Sequence, residues 1–225
     1  MQPTFFPWSG YFNLIYNSNT FVFLNDAQYS KGSWHSRNFI IVNNTKHLIT
    51  VPTKKSSLST TIMNKLIDNS TNWQKKHAKI IMQAYSHHPF IEDLAQLIKF
   101  FEKLKFQHLS ELNIELIKFI SEKLSLKTNF INSNDFALID KRTTKVIQIL
   151  DKINATEYLS PEGSKKYLKE DKFEELTKIK LLFNSYRPTE YKQKNQNKFI
   201  DNLSIIDVIA NLGWINTETY VKQKK

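Results

Sequence analysis

The spacing of hydrophobic residues changes period several times along this chain, and each change predicts an element. Tyr11, Phe12, Leu14 and Ile15 have the spacing of a short amphipathic helix, and Thr20 to Leu24 is a compact β-prone run closed by the turn pair Asn25-Asp26. Asn38 to Val42 and His47 to Val51 read as the strands of a hairpin, because Asn43 and Asn44 tolerate the positive φ of a tight connection. Pro52 closes the second strand, and Lys54 to Thr61 has the hydroxyl-rich composition of a loop. Three stripes at helical spacing follow. They are Trp73, His77, Ile80, Ile81 and Ala84; then Phe90, Leu94, Leu97, Phe101 and Leu104; then Leu109, Leu112, Leu116, Ile120 and Leu124. Together they predict a helical layer over about residues 62–126, with His77 packed on its face.

Beyond it the periods alternate. Thr128 to Ile131 reads as a strand, Val146, Ile149, Leu150 and Ile153 as a helix, and Glu157 to Leu159 as a strand. A turn at 160–164, a helix from Lys165 and an apolar strand from Ile179 to Phe183 complete the strand, helix, strand order of a parallel α/β unit. The last helix starts with Ser204 as N-cap, Asp207 reaching back as the other half of a capping box, and Leu203 with Val208 as a staple; Gly213 is its expected end. The charged tail from Val221 is expected to fray. The fold class this predicts is α/β, with a mostly parallel sheet core of Rossmann-like type, a β-hairpin and a helical insertion, all in one domain over 1–225.

Composition narrows the function classes. There is no cysteine, which removes disulfides, thiolate zinc and a cysteine nucleophile, and the histidines are dispersed, so no metal is expected. No apolar run reaches the ~18 residues of a membrane span and no signal peptide opens the chain, so a cytoplasmic location is expected. The net charge of +11 invites a nucleic-acid reading, yet only Arg37, Arg142 and Arg187 are arginine, and scattered lysine is the pattern of a solvated surface. The turn at 160–164 has neither the dinucleotide nor the P-loop glycine spacing, and no G-x-S-x-G elbow is present.

The unusual residues concentrate in one stretch, Gln2 to Asn38. It holds two of four glycines, two of four tryptophans, two of six prolines and one of three arginines. Pro3 and Pro7 stiffen it, and polar groups crowd its second half: Asp26, Gln28, Lys31, His35, Arg37 and Asn38, backed by Gln2, Trp8 and Tyr11. A histidine at this density of polar groups can act as a general base, with Asp26 orienting it or taking the proton itself, while arginine and lysine hold phosphates and aromatic rings stack on a base or sugar. The bland alternative is an Asp26–Arg37 ion pair joining two loops, with Trp8 and Trp34 filling the core. If strand 20–24 belongs to a parallel sheet, the loop after it lies at the carboxyl edge, where open α/β folds bind ligands. Arg187, Tyr191 and Gln193, in a second polar stretch, are expected to converge on the same pocket.

The stretches QPTFFPWSGYF at 2–12, FVFLNDAQYSKGSWHSRNFI at 21–40, YLSPEGSKKYL at 158–168, EYKQ at 190–193 and LSIIDVIANLG at 203–213 resemble, in order, the WbqC-like proteins of bacterial O-antigen and related surface-polysaccharide gene clusters. Two positions depart from that pattern. The short apolar strand usual before the Gln-Pro pair is reduced to Met1, and Ser36 stands where the WxNRN pattern has Asn. The resemblance implies a role in polysaccharide sugar modification. The expected reaction is transfer of an acyl or aminoacyl group to a nucleotide-linked amino sugar, with His35 or Asp26 as base and Asn38, Gln28 or Arg37 donating to the carbonyl oxygen. The expected partners are a nucleotide-activated sugar and an anionic donor, either a coenzyme thioester or aminoacyl-tRNA. The rivals are a non-catalytic nucleotide- or RNA-binding module and an assembly partner of other polysaccharide enzymes.

Overall fold

A computed structural model describes residues 1–223. In chain order the elements are α1 (Ser9–Tyr16), β1 (Thr20–Phe23), the hairpin β2 (Arg37–Val42) and β3 (Thr45–Thr50), then α2 (Trp73–Ala84), α3 (Ile91–Lys103) and α4 (Leu109–Lys123). The second half runs β4 (Asn129–Asn132), α5 (Arg142–Lys152), β5 (Glu157–Pro161), α6 (Lys165–Glu170), α7 (Phe173–Leu176), β6 (Lys180–Asn184) and α8 (Ile205–Val221). Among the described residues no helix is long and apolar enough to cross a membrane.

The result is a mixed α/β fold whose sheets are small. β1 pairs in parallel with β4, from Thr20 opposite Asn129 to Phe23 opposite Asn132. β5 pairs in parallel with β6, from Glu157 opposite Lys180 to Pro161 opposite Asn184. The hairpin pairs antiparallel, and Asn43 and Asn44 both take positive φ at its turn. These are three separate two-stranded sheets among the described residues, so the expected continuous Rossmann-like core is corrected. The strands are short and half-buried rather than apolar throughout, and Pro161 has no N–H to offer a further strand. Met1 takes part beside β1: its amine donates to Val22 O at 2.7 Å and its carbonyl accepts from Leu24 N at 2.9 Å, the two bonds of a parallel bridge.

The main core is helical. α3, α4 and α8 pack around Phe5, Phe6, Phe12 and Tyr85, and the Phe6 and Phe101 rings meet edge-on at 5.2 Å. A second, smaller core of Val146, Leu150, Leu168 and Phe173 lies under β5 and β6. The helical layer itself begins at Trp73 rather than 62, because residues 62–72 spend their backbone groups on bridges such as Thr53 with Ile67 and Leu66 with His108. His77 is packed there, accepting from Thr50 N at 3.2 Å on one ring nitrogen and bonded to Trp73 O at 2.9 Å through the other.

Helix α8 corrects three expectations. Ser204 Oγ caps it by accepting from Ile206 N at 3.3 Å, but the Asp207 carboxylate does not accept from Ser204 N, which donates instead to Phe39 O. Gly213 breaks the helix at φ +70 without ending the chain's helical run, since Asp93 Oδ2 accepts from Trp214 N at 2.8 Å and caps a restart. The tail is tied down through Gln223: Asn13 Nδ2 donates to Val221 O at 2.7 Å and Gln223 O at 3.2 Å, and Lys222 pairs with Glu218. Lys224 and Lys225 lie outside the described residues.

Candidate functional site

The open site is a cleft between α1 and the carboxyl ends of β5 and β6, the edge of a parallel pair where α/β folds bind ligands. Met1, Trp8, Gly10, Tyr11 and Leu14 form one wall; Pro161, Glu162, Gly163, Asn184, Tyr186 and Arg187 form the other. Gly10 lies inside α1, and a Cβ there would collide with the Trp8 indole, which therefore rests on the helix backbone. Trp8 packs against Tyr186, with ring centroids 5.9 Å apart and the rings tilted. At the rim Arg187 donates to Glu162 at 2.9 Å, with side chains 69 % and 45 % exposed. Such an exposed pair is worth only ~0–1 kcal/mol, so a ligand can open it at little cost. The free space, ≈ 170 Å³, compares with the ~150 Å³ cavity that admits a benzene ring. That space is the size of one six-membered ring.

His35 does not line this cleft. It is 4 % exposed, its Nδ1 lies 2.8 Å from Ser33 Oγ, its Nε2 lies 3.0 Å from Gln2 Oε1, and its ring packs on Tyr29. Burial lowers its pKa from 6.5 to about 4, so the ring is neutral at physiological pH. Asn113 on α4 donates to both His35 O (2.7 Å) and Pro3 O (3.3 Å), fastening the two halves of the opening stretch. The link to the cleft runs through Gln2, whose carbonyl accepts from Tyr11 OH at 3.1 Å.

Most of the other polar residues of the stretch bond to neighbouring protein groups. Asp26 neither touches His35 nor pairs with Arg37: Lys145 Nζ donates to one of its oxygens and Ser133 Oγ to the other, each at 2.5 Å. With the Asn25–Asn134 bond of 2.7 Å, this knot joins the carboxyl ends of β1 and β4. Arg37 donates through Nη2 to Gly32 O, closing the loop before β2, and Gly32 takes φ +75 there. Asn38 is buried and donates to Phe6 O at 2.7 Å and Phe5 O at 3.3 Å, fixing Phe6 at positive φ. Gln28 donates to Leu58 O at 2.7 Å, and Lys31 is exposed. Neither tryptophan fills the core: Trp8 is a cleft wall, and Trp34 is 52 % exposed.

Arg187 reaches the cleft, but Tyr191 and Gln193 turn inward to Asp207. Its buried carboxylate accepts from Tyr85 OH (3.1 Å), Tyr191 OH (2.5 Å) and Gln193 Nε2 (3.1 Å). Burial raises its pKa, against those three hydrogen bonds. Tyr85 OH also accepts from Ile41 N at 3.0 Å, so this one carboxylate ties α2, β2, α8 and the 191–200 segment together. The sequence reading paired Asp207 with Ser204 because three-residue spacing fits a capping box equally well, and nothing local reveals Tyr85, 122 residues away. It also missed Ser33, Glu162 and Tyr186. Glu162 was readable only as part of a turn, although its place after a strand in a parallel unit was the available signal.

The comparisons with known proteins agree with one another in extent. A protein of Mycobacterium tuberculosis described as Uncharacterized protein Rv1507c is 32% identical over 215 residues, covering 95% of this chain and 92% of that protein. No solved structure matches the chain. The pattern of the WbqC-like protein family matches residues 2–219, which takes in both cleft walls, the His35 network and the Asp207 knot, and the chain belongs to that family.

Proposed function

We propose that this protein transfers an acyl or aminoacyl group to a nucleotide-linked amino sugar in the assembly of a bacterial surface polysaccharide. The observation that carries the reading is the ring-sized cleft walled by Trp8 and Tyr186, with a carboxylate and a guanidinium at its rim. An aromatic face suits a sugar ring, and a readily opened Arg187–Glu162 pair leaves the guanidinium to a diphosphate and the carboxylate to an attacking amine. In this reading Glu162 takes the role of base first assigned to His35 and Asp26. His35 becomes a positioning residue that holds Gln2, and through it Tyr11. The donor, a coenzyme thioester or aminoacyl-tRNA, would approach the open rim in the cytoplasm.

The test is incubation with a panel of nucleotide sugars and acyl donors, followed by mass measurement. Transfer is expected to add the acyl mass to one amino sugar. Trp8→Ala should weaken that sugar nucleotide's binding by on the order of tenfold, and Glu162→Gln should lower turnover by on the order of 10²-fold or more with affinity kept. A nucleotide- or RNA-binding module would leave every small molecule unchanged, and that outcome would replace this reading.

A further inference from the structure

Lys65 is the one lysine in the buried class among the described residues, at 4 % exposure. Its Nζ donates to Lys54 O at 2.6 Å and to Ser56 Oγ at 2.8 Å, and it sits 4.7 Å above the Tyr29 ring. None of the ion pairs among the described residues includes it. An ammonium taken out of water is costly unless a counter-charge offsets it, and here only dipoles and a π-face do so. Two of those three partners belong to the segment 54–59, which is exposed throughout, with Leu58 at 89 %. This segment is pinned at its ends, by Lys54 N to Leu66 O at 3.0 Å and by Gln28 Nε2 to Leu58 O with Tyr29 N to Thr60 O just beyond, and between them by Lys65 itself.

The surrounding chemistry is one-sided. The antiparallel bridge of Gln28 with Thr61 sets Tyr29 and Thr60 opposite one another on the same face, so the Thr60 hydroxyl, 3.2 Å from Ser57 Oγ, lies on the Tyr29 side with Lys65. Tyr29 OH in turn meets Ser36 Oγ at 3.3 Å. Hydroxyls and the Lys65 ammonium lie together there, and among the described residues no carboxylate oxygen comes within 4.0 Å of Nζ.

We propose that Lys65 is an anion site for a substrate phosphate group, which displaces the Lys54 carbonyl and the Ser56 hydroxyl from Nζ while the hydroxyls of Ser57, Ser59 and Thr60 close over it. A phosphate supplies the missing charge and enough acceptor oxygens for Nζ and several hydroxyls at once, and lysine serves phosphate as a compact point charge. The site is separate from the aromatic cleft and requires no reaction there. The phosphate has two possible sources, the nucleoside diphosphate of the sugar and the phosphates of a coenzyme donor.

The test uses inorganic pyrophosphate on the full chain, read as a saturable rise in Tm. Wild type should respond, and Lys65→Met should bind about tenfold more weakly or worse. Ser56→Ala lies in the exposed segment and removes a competitor for Nζ, so it should bind pyrophosphate a few-fold more tightly, roughly in proportion to the freed population. Coenzyme A and a nucleoside diphosphate sugar are then titrated against wild type and Lys65→Met; the one whose affinity falls is the source. No response in wild type, an equal response in Lys65→Met, or undiminished affinity for both larger ligands would overturn the proposal. Should Lys65→Met not fold, Ser56→Ala decides, since unchanged or weaker pyrophosphate binding there contradicts displacement. Binding of the sugar nucleotide compared between wild type and Trp8→Ala reads the cleft separately, so a silent Lys65 leaves the sugar reading standing.

Discussion

At the scale of single residues, two buried titratable groups give stability opposite dependences on pH. His35 falls from its ordinary 6.5 to about 4 in the folded chain because burial penalises the imidazolium. Between those values the unfolded chain binds more protons than the folded one, so stability is fully present above pH 6.5 and is lost as pH falls toward 4, by about 3 kcal/mol in all. Asp207 is raised instead, so the folded chain holds its proton longer and stability from this group declines as pH rises above the ordinary carboxylate value. The two act in overlapping ranges, and a replacement separates them. His35→Gln should lessen the loss of Tm expected for wild type between pH 6.5 and 4; parallel melting profiles for the two proteins would remove His35 as a cause. The same residue shows what a sequence can reveal. His35 stood out by type and company, but whether its ring meets substrate or Gln2 depends on a partner 33 positions away.

Among elements, those with strong local signals formed where the pattern put them, and those depending on distant partners did not. Asn43 and Asn44 specify the hairpin turn by themselves, and Leu94, Leu97 and Phe101 specify the buried face of α3 by their spacing. A sheet is different, because its width is decided by which strands find each other. The residues of β1 and β5 read correctly as parallel strands, yet a side-chain knot that includes Asn25, Asp26 and Lys145 joins the carboxyl ends of β1 and β4. Ligand binding was expected beyond β1, whereas the open cleft lies beyond β5. Helix α8 gives an intermediate case: Gly213 was legible as a stop, but the restart depends on Asp93 of α3. A Cβ at Gly213 would lie 2.5 Å from Phe90 Cδ1 and 2.8 Å from Asp93 Oδ2, at a positive φ. Gly213→Ala should thus cost about 2–4 kcal/mol through backbone strain and overpacking, lowering Tm by on the order of 10 °C. A thermal melt within two degrees of wild type would mean that α8 can straighten and repack.

Across the whole molecule, the two cleft walls rest on cores of very different size. Trp8, Tyr11 and Leu14 stand on α1, which is buried in the main core with α8, whereas Pro161 to Gly163 and Asn184 to Arg187 stand on β5 and β6 over the small core of Val146, Leu150, Leu168 and Phe173. Apolar burial is the dominant stabilising term, so the far wall has less to oppose its opening. Its strands show this directly, since β6 has no fully buried position and β5 has one, Ser160. Native-state hydrogen exchange should accordingly find the amides of β5 and β6 exchanging through openings of lower free energy than those of α4 and the first half of α8. A sugar nucleotide that bridges the cleft binds only the closed arrangement, so at one hundred times its Kd it should slow exchange in β5 and β6 by up to about 100-fold. Exchange in α4, which opens only with the main core, should change less if that core opens without releasing ligand. Uniform protection across both regions in the free protein would mean that the far wall is as firmly held as the near one, and the cleft would then act as a rigid groove.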